Sequence, residues 1–270
     1  LIKNRVALRA DSAKKVVDYI TWSEAFEAEP RINAQNKSLA FPVVIMAGGR
    51  GTRLDPFSRI LPKPLVPIGD RTIIELIMDR FSAYGIDNYY MTVNHLSKII
   101  RAFFEESSFQ SKVSFVEEER FLGTAGSLYL LKEKLRQPFI ITNCDILIES
   151  DYAEITQFHE SKKCDITIVA AMKNFRIPYG VCSIKNGGTL DSMEEKPQFD
   201  FLVNTGFYVV NPTVFPLIPD NQYLDMNELI KKAQAAGLNV GVFPVGERSW
   251  IDVGEWSEYK RALSILDDHK

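Results

Sequence analysis

The sequence predicts an α/β protein whose central sheet is mostly parallel and flanked by helices on both faces. Three observations predict it. From Phe41 onward, apolar runs of strand length alternate with segments of helical periodicity. Pro42–Met46 is a continuous apolar run and Phe139–Asn143 a further long one, as expected of strands buried on both faces. A glycine-rich stretch follows the first run directly, at the sort of strand end where open α/β sheets bind ligands.

Residues 1–41 read as an N-terminal arm and linker. Val16, Val17, Ile20, Trp22 and Phe26 predict a small apolar face on one or two short helices. The polar stretch Glu29–Ser38, which contains Pro30, predicts a linker. The main domain, residues 42–266, opens with the Pro42–Met46 strand. Thr72–Tyr84 is a helix, because Ile73, Ile77 and Phe81 recur at four-residue spacing and Thr72-x-x-Glu75 is a capping box. A strand over Tyr89–Val93, a helix over Lys98–Glu106, a strand over Val113–Val116 and a helix over Thr124–Glu133 follow. Phe139–Asn143 is the last strand of the first half, 42–150, and a helix over Tyr152–Ser161 follows it. In the second half, 151–266, the rhythm changes after Asp165. Ile166–Ala171, Val181–Lys185 and Leu202–Val210 predict strands, with Asn186-Gly187-Gly188 as a hairpin turn. A helix over Asp225–Ala236, a strand over Val240–Pro244 and a helix over Glu255–Leu266 close the chain.

The 270 residues suit one or two domains of about 150 residues and a large core. A hydrophobic fraction of 46% and a charged fraction of 25% exclude a disordered or fibrous chain. No apolar stretch approaches the roughly 18 residues of a membrane span, and no secretory pattern stands at the N-terminus, so no membrane partner is expected. Lys and Arg number 32 against 35 Asp and Glu, a net charge of −3. That balance argues against a nucleic-acid partner held by a bulk basic field and leaves room for a small anionic ligand. Cys144, Cys164 and Cys182 make no Cys-x-x-Cys site, and an odd count suits a reducing, cytoplasmic location. His95, His159 and His269 form no His-Glu-x-x-His pattern, so zinc is not expected. The chain begins at Leu1 rather than Met, which points to a piece of something longer.

The strongest chemical signal is Val43–Leu54, followed by Pro62-Lys63-Pro64. Gly48, Gly49 and Gly51 let backbone N–H groups approach an anion, Arg53 adds a fork of donors, and Lys63 adds a point charge stiffened by flanking prolines. The arrangement suits a triphosphate. It is not the dinucleotide fingerprint, whose third glycine is replaced by Leu54, and it lacks the Gly-Lys-Ser/Thr ending of a P-loop. Asp145 lies at the end of a buried strand, and Asp252 precedes Gly254 by two. Either aspartate could cap a following helix. Together, two carboxylates can hold one Mg²⁺ whose other positions go to water and phosphate oxygens.

Ala47–Leu54 with Pro62-Lys63-Pro64 resembles the signature of the sugar-1-phosphate nucleotidyltransferases, the pyrophosphorylases that make nucleotide sugars. The resemblance continues through Leu122-Gly123-Thr124-Ala125-Gly126, Asn143-Cys144-Asp145, Pro178-Tyr179-Gly180-Val181, Glu194-Glu195-Lys196-Pro197, Asn204-Thr205-Gly206 and Trp250-Ile251-Asp252-Val253-Gly254. It spans roughly residues 42–266. Cys144 departs from the family's usual Gly and narrows the approach to the nucleotide. The resemblance implies a Rossmann-type, GT-A-like fold with a nucleotide half and a sugar half, and a reaction of NTP with a sugar 1-phosphate. It implies catalytic roles for Arg53 and Lys63, and nucleotide contacts from Ala47, Gly48, Gly49, Gly51, Thr52, Gly123, Thr124 and Ala125. It also implies sugar-phosphate contacts from Gly180, Glu195, Lys196, Asn204 and Thr205, and Mg²⁺ on Asp145 and Asp252. Trp250 and Trp256 are expected in the core.

The base is the finer question. Glu117, Glu118 and Glu119 end a strand just before the small-residue slot at Leu122–Ala125, and a carboxylate accepts both donors of a guanine edge. Glu118 and Asn94 are the candidates. Val93-Asn94-His95 and the Glu-rich approach to the slot most resemble bacterial guanylyltransferases, including those acting on glucosamine 1-phosphate, so GTP is expected. UTP, CTP and dTTP also fit a slot walled by glycine and alanine. Tyr19–Phe26 looks like the tail of a CBS regulatory module, as some bacterial members carry; an arm packed on the main domain is the other reading. Whether the chain forms a homo-oligomer stays open. A glycosyltransferase of the same fold is the competing class, but its usual Asp-x-Asp is absent. A non-catalytic nucleotide-sugar sensor would be expected to have lost one of the charged residues above.

Overall fold

A run of β-branched residues decides the N-terminal arm. In the computed structural model, which describes residues 6–10, 16–21, 38–49, 51–55, 57–254 and 258–260, β1 (Val6–Ala10) pairs antiparallel with β2 (Val16–Thr21), Val6 opposite Thr21. This corrects the expectation of helices there. Val16, Val17, Ile20 and Thr21 lose side-chain freedom in a helix and fit a pleated strand. Trp22, Phe26, nearly all of the Glu29–Ser38 linker and most of the Glu255–Leu266 helix lie outside the described residues.

The strands that follow are β3 (Val43–Met46), β4 (Pro67–Ile68), β5 (Arg71–Thr72), β6 (Tyr89–Val93), β7 (Val113–Glu117) and β8 (Phe139–Asn143). After them come β9 (Ile146–Ile148), β10 (Ile166–Arg176), β11 (Gly180–Lys185) and β12 (Thr189–Glu195). The last three are β13 (Gln198–Val210), β14 (Val240–Val245) and β15 (Trp250–Asp252). Seven strands form the central sheet in the order β14-β10-β13-β8-β3-β6-β7. All run parallel except β13, which is antiparallel to both neighbours. The mostly parallel sheet expected from the strand–helix alternation is therefore present.

Side-chain alternation on β3 divides the core in two. Val43 and Ile45 face a layer that includes Ile73, Ile77 and Phe81 of helix Ile73–Ser82. Val44 faces the opposite layer, with Leu128, Leu131 and Leu229. A period of two puts alternate residues on opposite faces, so one four-residue strand supplies both layers. Helix Ile73–Ser82 starts at the expected capping box: Glu75 N–H donates to Thr72 Oγ1 at 3.4 Å, and Thr72 N–H donates to Glu75 Oε2 at 2.8 Å. Helices Ser97–Glu105, Tyr152–Ser161 and Met226–Ala235 fall within a residue of expectation.

Three departures matter for the site. The helix expected over Thr124–Glu133 is one α-turn, Gly123–Gly126, running into a 3₁₀ stretch, Ser127–Leu131. Its Ala125 and Gly126 amides donate to the carbonyl of Leu224, at 2.9 and 3.0 Å. Next, β10 and β13 extend beyond the sheet as a long two-stranded arm, which continues into the β11–β12 hairpin. At the arm's foot a bulge lies opposite Val169/Ala170: Val169 faces Phe207 and Ala170 faces Asn204, leaving Thr205 and Gly206 unpaired. Finally, β15 pairs antiparallel with β9, setting Asp252 opposite Ile146. That short pairing, not anticipated from periodicity, brings residue 252 beside residue 145.

Candidate active site

The carboxyl ends of β3, β6, β7 and β8 converge on a cleft of about 220 Å³. The loop after β3 forms one wall with Gly48, Gly49 and Gly51. Gly48 is there for a reason of space: a Cβ on it would stand 2.6 Å from Glu118 Oε1. Ala47 is buried beneath the loop, its N–H donating to Thr92 O at 3.0 Å, and Thr52 opens a 3₁₀ turn, Thr52–Leu54, that presents Arg53 to the cleft. Lys63 opens the 3₁₀ turn Lys63–Leu65, with Pro62 before it and Pro64 within it. Its ammonium reaches into the cleft and pairs with Asp145.

The three glutamates separate. Glu117 turns away to accept from Ser97 and Arg101, each at 3.1 Å, and Glu119 faces solvent. Glu118 is 3% exposed and lines the cleft, with Leu122 N–H donating to its Oε2 at 3.1 Å. Burial pushes its carboxyl above the usual range, and the bonds from Leu122 and Thr92 only partly offset this. Asn94 supports Glu118: its Nδ2 donates to the Glu118 carbonyl at 2.6 Å, and Asn94 itself does not line the cleft. Gly123 and Thr124 form the facing wall, with Ala125 buried behind them. Cys144 lies on the floor, its thiol pushed up to about 12 by burial and by the charge of Asp145, so it stays neutral.

A second cleft, of about 370 Å³, adjoins the first and shares Arg53, Thr124, Asn143 and Asp145 with it. Asn204 and Thr205 line it at the foot of the arm. Thr205 is committed to the bulge, its hydroxyl donating to Val169 O at 2.8 Å, while Asn204 Nδ2 donates to Tyr208 Oη at 2.6 Å. Asp145 and Asp252 meet at the seam. Val253 N–H donates to Asp145 O at 2.9 Å, and Gly254 N–H to Asp252 Oδ1 at 2.8 Å. A Cβ on Gly254 would stand 2.8 Å from Lys63 Nζ and 2.9 Å from Asp252 Oδ1, and it would collide with Asp145 Oδ2. Glycine is therefore required for the two carboxylates and the ammonium to share this space. Burial, and then the charge of Asp145, push the Asp252 carboxyl up, with Lys63 and Arg53 opposing. Two crowded, partly desolvated carboxylates are a donor set that fits a small divalent cation with oxygen ligands. The described residues contain no cluster of three or more His, Cys, Asp or Glu side chains that could hold a metal.

Three expected site residues are not gathered in. Gly180, Glu195 and Lys196 sit together on the β11–β12 hairpin, Gly180 opposite Glu195, and line neither cleft. Lys196 adopts φ +50 and lies 3.8 Å from Glu195, both largely exposed. Trp250 serves two roles: half-buried, it packs against the core as expected and also lines the second cleft. Its indole N–H has no partner among the described residues. Thr92, Phe121, Tyr208, Asp225 and Asn227 also line the clefts and carried no sequence signal beyond the helix-capping position of Asp225.

Residues 42–268 match the family model described as Nucleotidyl transferase. Among curated relatives, a mannose-1-phosphate guanyltransferase of Yarrowia lipolytica is 32% identical over 225 residues, 80% of this chain and 61% of that protein. A UTP–glucose-1-phosphate uridylyltransferase of Synechocystis is 26% identical over 240 residues, 82% of this chain and 62% of that protein. The chain thus spans about three-fifths of the length of these relatives. Among solved structures, HddC from Yersinia pseudotuberculosis superposes with a TM-score of 0.65 at 25% identity, covering 84% of this chain and 99% of that one. No helix among the described residues is long and apolar enough to cross a membrane.

Proposed function

Since the chain belongs to the nucleotidyl transferase family, we propose that it joins GTP to a hexose 1-phosphate, giving a GDP-sugar and pyrophosphate. The observation that carries this reading is the pair of adjoining clefts with Asp145 and Asp252 at their seam. One cleft has a glycine loop and two cations for a triphosphate; the other has room for a sugar.

An oxygen of the sugar phosphate attacks the α-phosphorus of the nucleotide, the bond to the β-phosphate oxygen breaks, and pyrophosphate leaves. A phosphate monoester is already largely dianionic near neutral pH, its second pKa being about 6, so no general base is needed. The work left to the protein is holding two repelling anions in line and neutralising charge. The loop Gly48–Gly51 receives the phosphates, with Arg53 and Lys63 as their counter-charges. Asp145 and Asp252 would hold Mg²⁺, which when bound neutralises charge on the reacting phosphoryl group. The sequence resemblance gives Lys196 the attacking phosphate and Glu195 with Gly180 the sugar hydroxyls; because the three line neither cleft, the β11–β12 hairpin must move over the second cleft for them to reach it.

The base is read by Glu118. Guanine offers a ring N–H and an exocyclic NH₂ side by side, and one carboxylate accepts both. Glu118 is buried at the cleft wall and held by its own backbone bonds, as such a reader must be. The Yarrowia relative's name supports guanine and mannose 1-phosphate; the sequence resemblance supports glucosamine 1-phosphate. Both are hexose 1-phosphates. A matrix of the four NTPs and dTTP against mannose, glucosamine and glucose 1-phosphates, read by pyrophosphate release, tests the reading. GTP is expected to lead by at least tenfold in kcat/KM, about 1.4 kcal/mol. A tenfold lead for UTP, CTP or dTTP overturns the base and leaves the reaction class standing. No pyrophosphate from any pair overturns the reaction class.

A further inference from the structure

The two clefts are joined by a zipper of hydrogen bonds between segments about a hundred residues apart. Leu224 N–H donates to Leu122 O at 2.9 Å, and the amides of Ala125 and Gly126 donate back to Leu224 O. One residue on, the exchange becomes reciprocal. Thr124 gives both its N–H and its hydroxyl to Asp225 Oδ1, each at 3.3 Å, and Thr124 Oγ1 accepts the Met226 N–H at 2.8 Å. Tyr223 Oη donates to the other carboxylate oxygen at 2.7 Å, and its ring lies 5.9 Å from that of Phe121. Arg120 donates to Asn221 O.

The arrangement is unusual in one respect. Asp225 is the N-cap residue of helix Met226–Ala235, yet its side chain makes no cap bond to its own helix. A capping aspartate ordinarily accepts from an amide two or three residues on. Here the carboxylate serves the turn Gly123–Gly126, while the hydroxyl of Thr124 satisfies the first amide of the Asp225 helix. Each segment caps the other. The first segment is a wall of the nucleotide cleft; the second supplies Asp225, Met226 and Asn227 to the sugar cleft.

From this we propose that Thr124 and Asp225 form a reciprocal latch that couples occupancy of the two clefts, with Asp225 as its positioning residue. A ligand that settles the Gly123–Thr124 wall also settles the Asp225–Asn227 wall, because neither can move without breaking the other's caps. By linkage the effect is mutual: each ligand changes the other's affinity by the same factor. The inference rests on the proposed assignment of the clefts to nucleotide and sugar phosphate.

The test is a binding cycle by calorimetry on the whole chain. The ligands are GTP with a methylene between its α- and β-phosphates, which cannot lose pyrophosphate, and mannose 1-phosphate. If the pyrophosphate assay selects another pair, that pair is used in the same non-transferring form. Each ligand is titrated alone and with the other saturating. In the wild type the ratio of dissociation constants is expected to depart from one by about fivefold or more, the lower end of typical site–site coupling. Asp225→Ala should bring the ratio to within about twofold of one, and Thr124→Val should do the same. Asp225→Asn, which keeps an acceptor oxygen, should preserve most of it. A merely structural Asp225 would lower the melting temperature and weaken both ligands alike, leaving the ratio untouched. That result overturns the latch, as does a wild-type ratio within twofold of one. If Asp225→Ala does not fold, Thr124→Val and Asp225→Asn decide between the same outcomes. Failure of the functional reading shows separately, as a wild type that releases no pyrophosphate.

Discussion

The walls of the nucleotide cleft and the β11–β12 hairpin belong to one proposed reaction but are built in opposite ways. In the cleft, side chains are held before any ligand arrives: Glu118 is buried and bonded, Lys63 is paired, and Asp145 is pinned through its backbone. On the hairpin, every residue of β12 is exposed, and the side chains of Lys196 and Glu195 stand largely in solvent, 3.8 Å apart. The arm that carries them shows Phe175, Phe199 and Phe201 to solvent. The difference teaches where binding energy is to be found. Preorganised groups stabilise a transition state without reorganisation, whereas groups on an open hairpin must be ordered by the ligand and lose part of their interaction energy to that ordering. Substitutions in the cleft should therefore damage turnover, and substitutions on the hairpin should raise KM.

The largest effect should come at the seam. Asp145→Ala or Asp252→Ala should lower kcat at least a hundredfold, about 3 kcal/mol of lost transition-state stabilisation, and raise the Mg²⁺ needed for half-maximal rate. Relief of the crowding between two carboxylates should leave the melting temperature of Asp252→Ala unchanged or higher. Pyrophosphate release across a Mg²⁺ series, with thermal unfolding alongside, measures both. Rates within a few-fold of wild type at low Mg²⁺ would erase the contrast between the clefts and the hairpin.

Glu118→Gln comes next, and it separates function from stability. The glutamine can accept only one guanine donor and offers an unwanted donor of its own, so kcat/KM for GTP should fall about tenfold or more, with UTP affected less. Stability should move the other way. Burial raises the Glu118 pKa in the folded chain above its ordinary 4.5. A raised carboxyl contributes stability below the unfolded value and loses it as pH rises through the folded one. At pH 7 the charged form is therefore a burden that glutamine removes. Denaturant midpoints at pH 7 and pH 4.5 should show the variant gaining on the wild type at pH 7 and losing that gain in acid. A variant that keeps GTP activity would show that the base is read elsewhere.

Much of this site was legible because its chemistry is local in sequence. The strand–glycine–Arg53 loop, Pro62-Lys63-Pro64 and the small-residue slot each sit within about a dozen residues, and the structure puts them around one cleft. Which glutamate turns inward was not legible. Glu117, Glu118 and Glu119 are chemically alike, and only the register of β7 against β6 sends Glu118 inward. The cleft-lining role of Trp250 is hidden for a similar reason: an apolar step reads as core, where Trp250 does pack, but β15 also lies at the edge of the second cleft. The arm escaped notice because Lys173, Asn174 and Arg176 break the apolar pattern of β10 while its ladder continues. Backbone pairing without burial leaves no hydrophobic signature.

On the hairpin the effect should be smaller and of a different kind. Lys196→Ala should raise the KM for sugar 1-phosphate about five- to tenfold, with kcat and the KM for GTP within twofold, the signature of lost ground-state binding. Lys196→Arg should recover part of it, since the charge remains but the fork reaches a phosphate differently. Steady-state kinetics varying each substrate in turn distinguish this from a kcat effect. A hundredfold loss of kcat would place Lys196 among the preorganised groups, with the hairpin closing as part of the chemistry. Unchanged sugar-phosphate kinetics would make it a solvated charge.

The smallest effect tests the other end of the same two strands, inside the buried sheet and away from the arm. His159, at the end of helix Tyr152–Ser161, is 2% exposed; its Nδ1 lies 2.9 Å from Thr167 Oγ1 on β10 and its Nε2 3.3 Å from Asn211 Oδ1 just past β13. It thus ties together the two strands that become the arm. Burial holds its imidazole below the ordinary 6.5, although Asn211, Glu160 and Asp165 pull the other way. A depressed folded value means that the unfolded chain takes up the proton first as pH falls. The stability that neutral His159 contributes is present above 6.5 and is lost as pH drops through the folded value. His159→Gln keeps a hydrogen-bonding side chain but cannot titrate. It should cost about 1 kcal/mol at pH 7 through imperfect bonds to Thr167 and Asn211, and its stability should decline less than the wild type's between pH 7 and pH 5. Urea midpoints at the two pH values give the comparison. If the two proteins lose stability in parallel, His159 is not the group that titrates at the sheet end of β10 and β13, and this anchor of the two strands is insensitive to acid. If the variant's acid limb flattens while its sugar-phosphate KM at pH 7 stays within twofold of wild type, the anchor and the binding hairpin are separate devices on the same two strands.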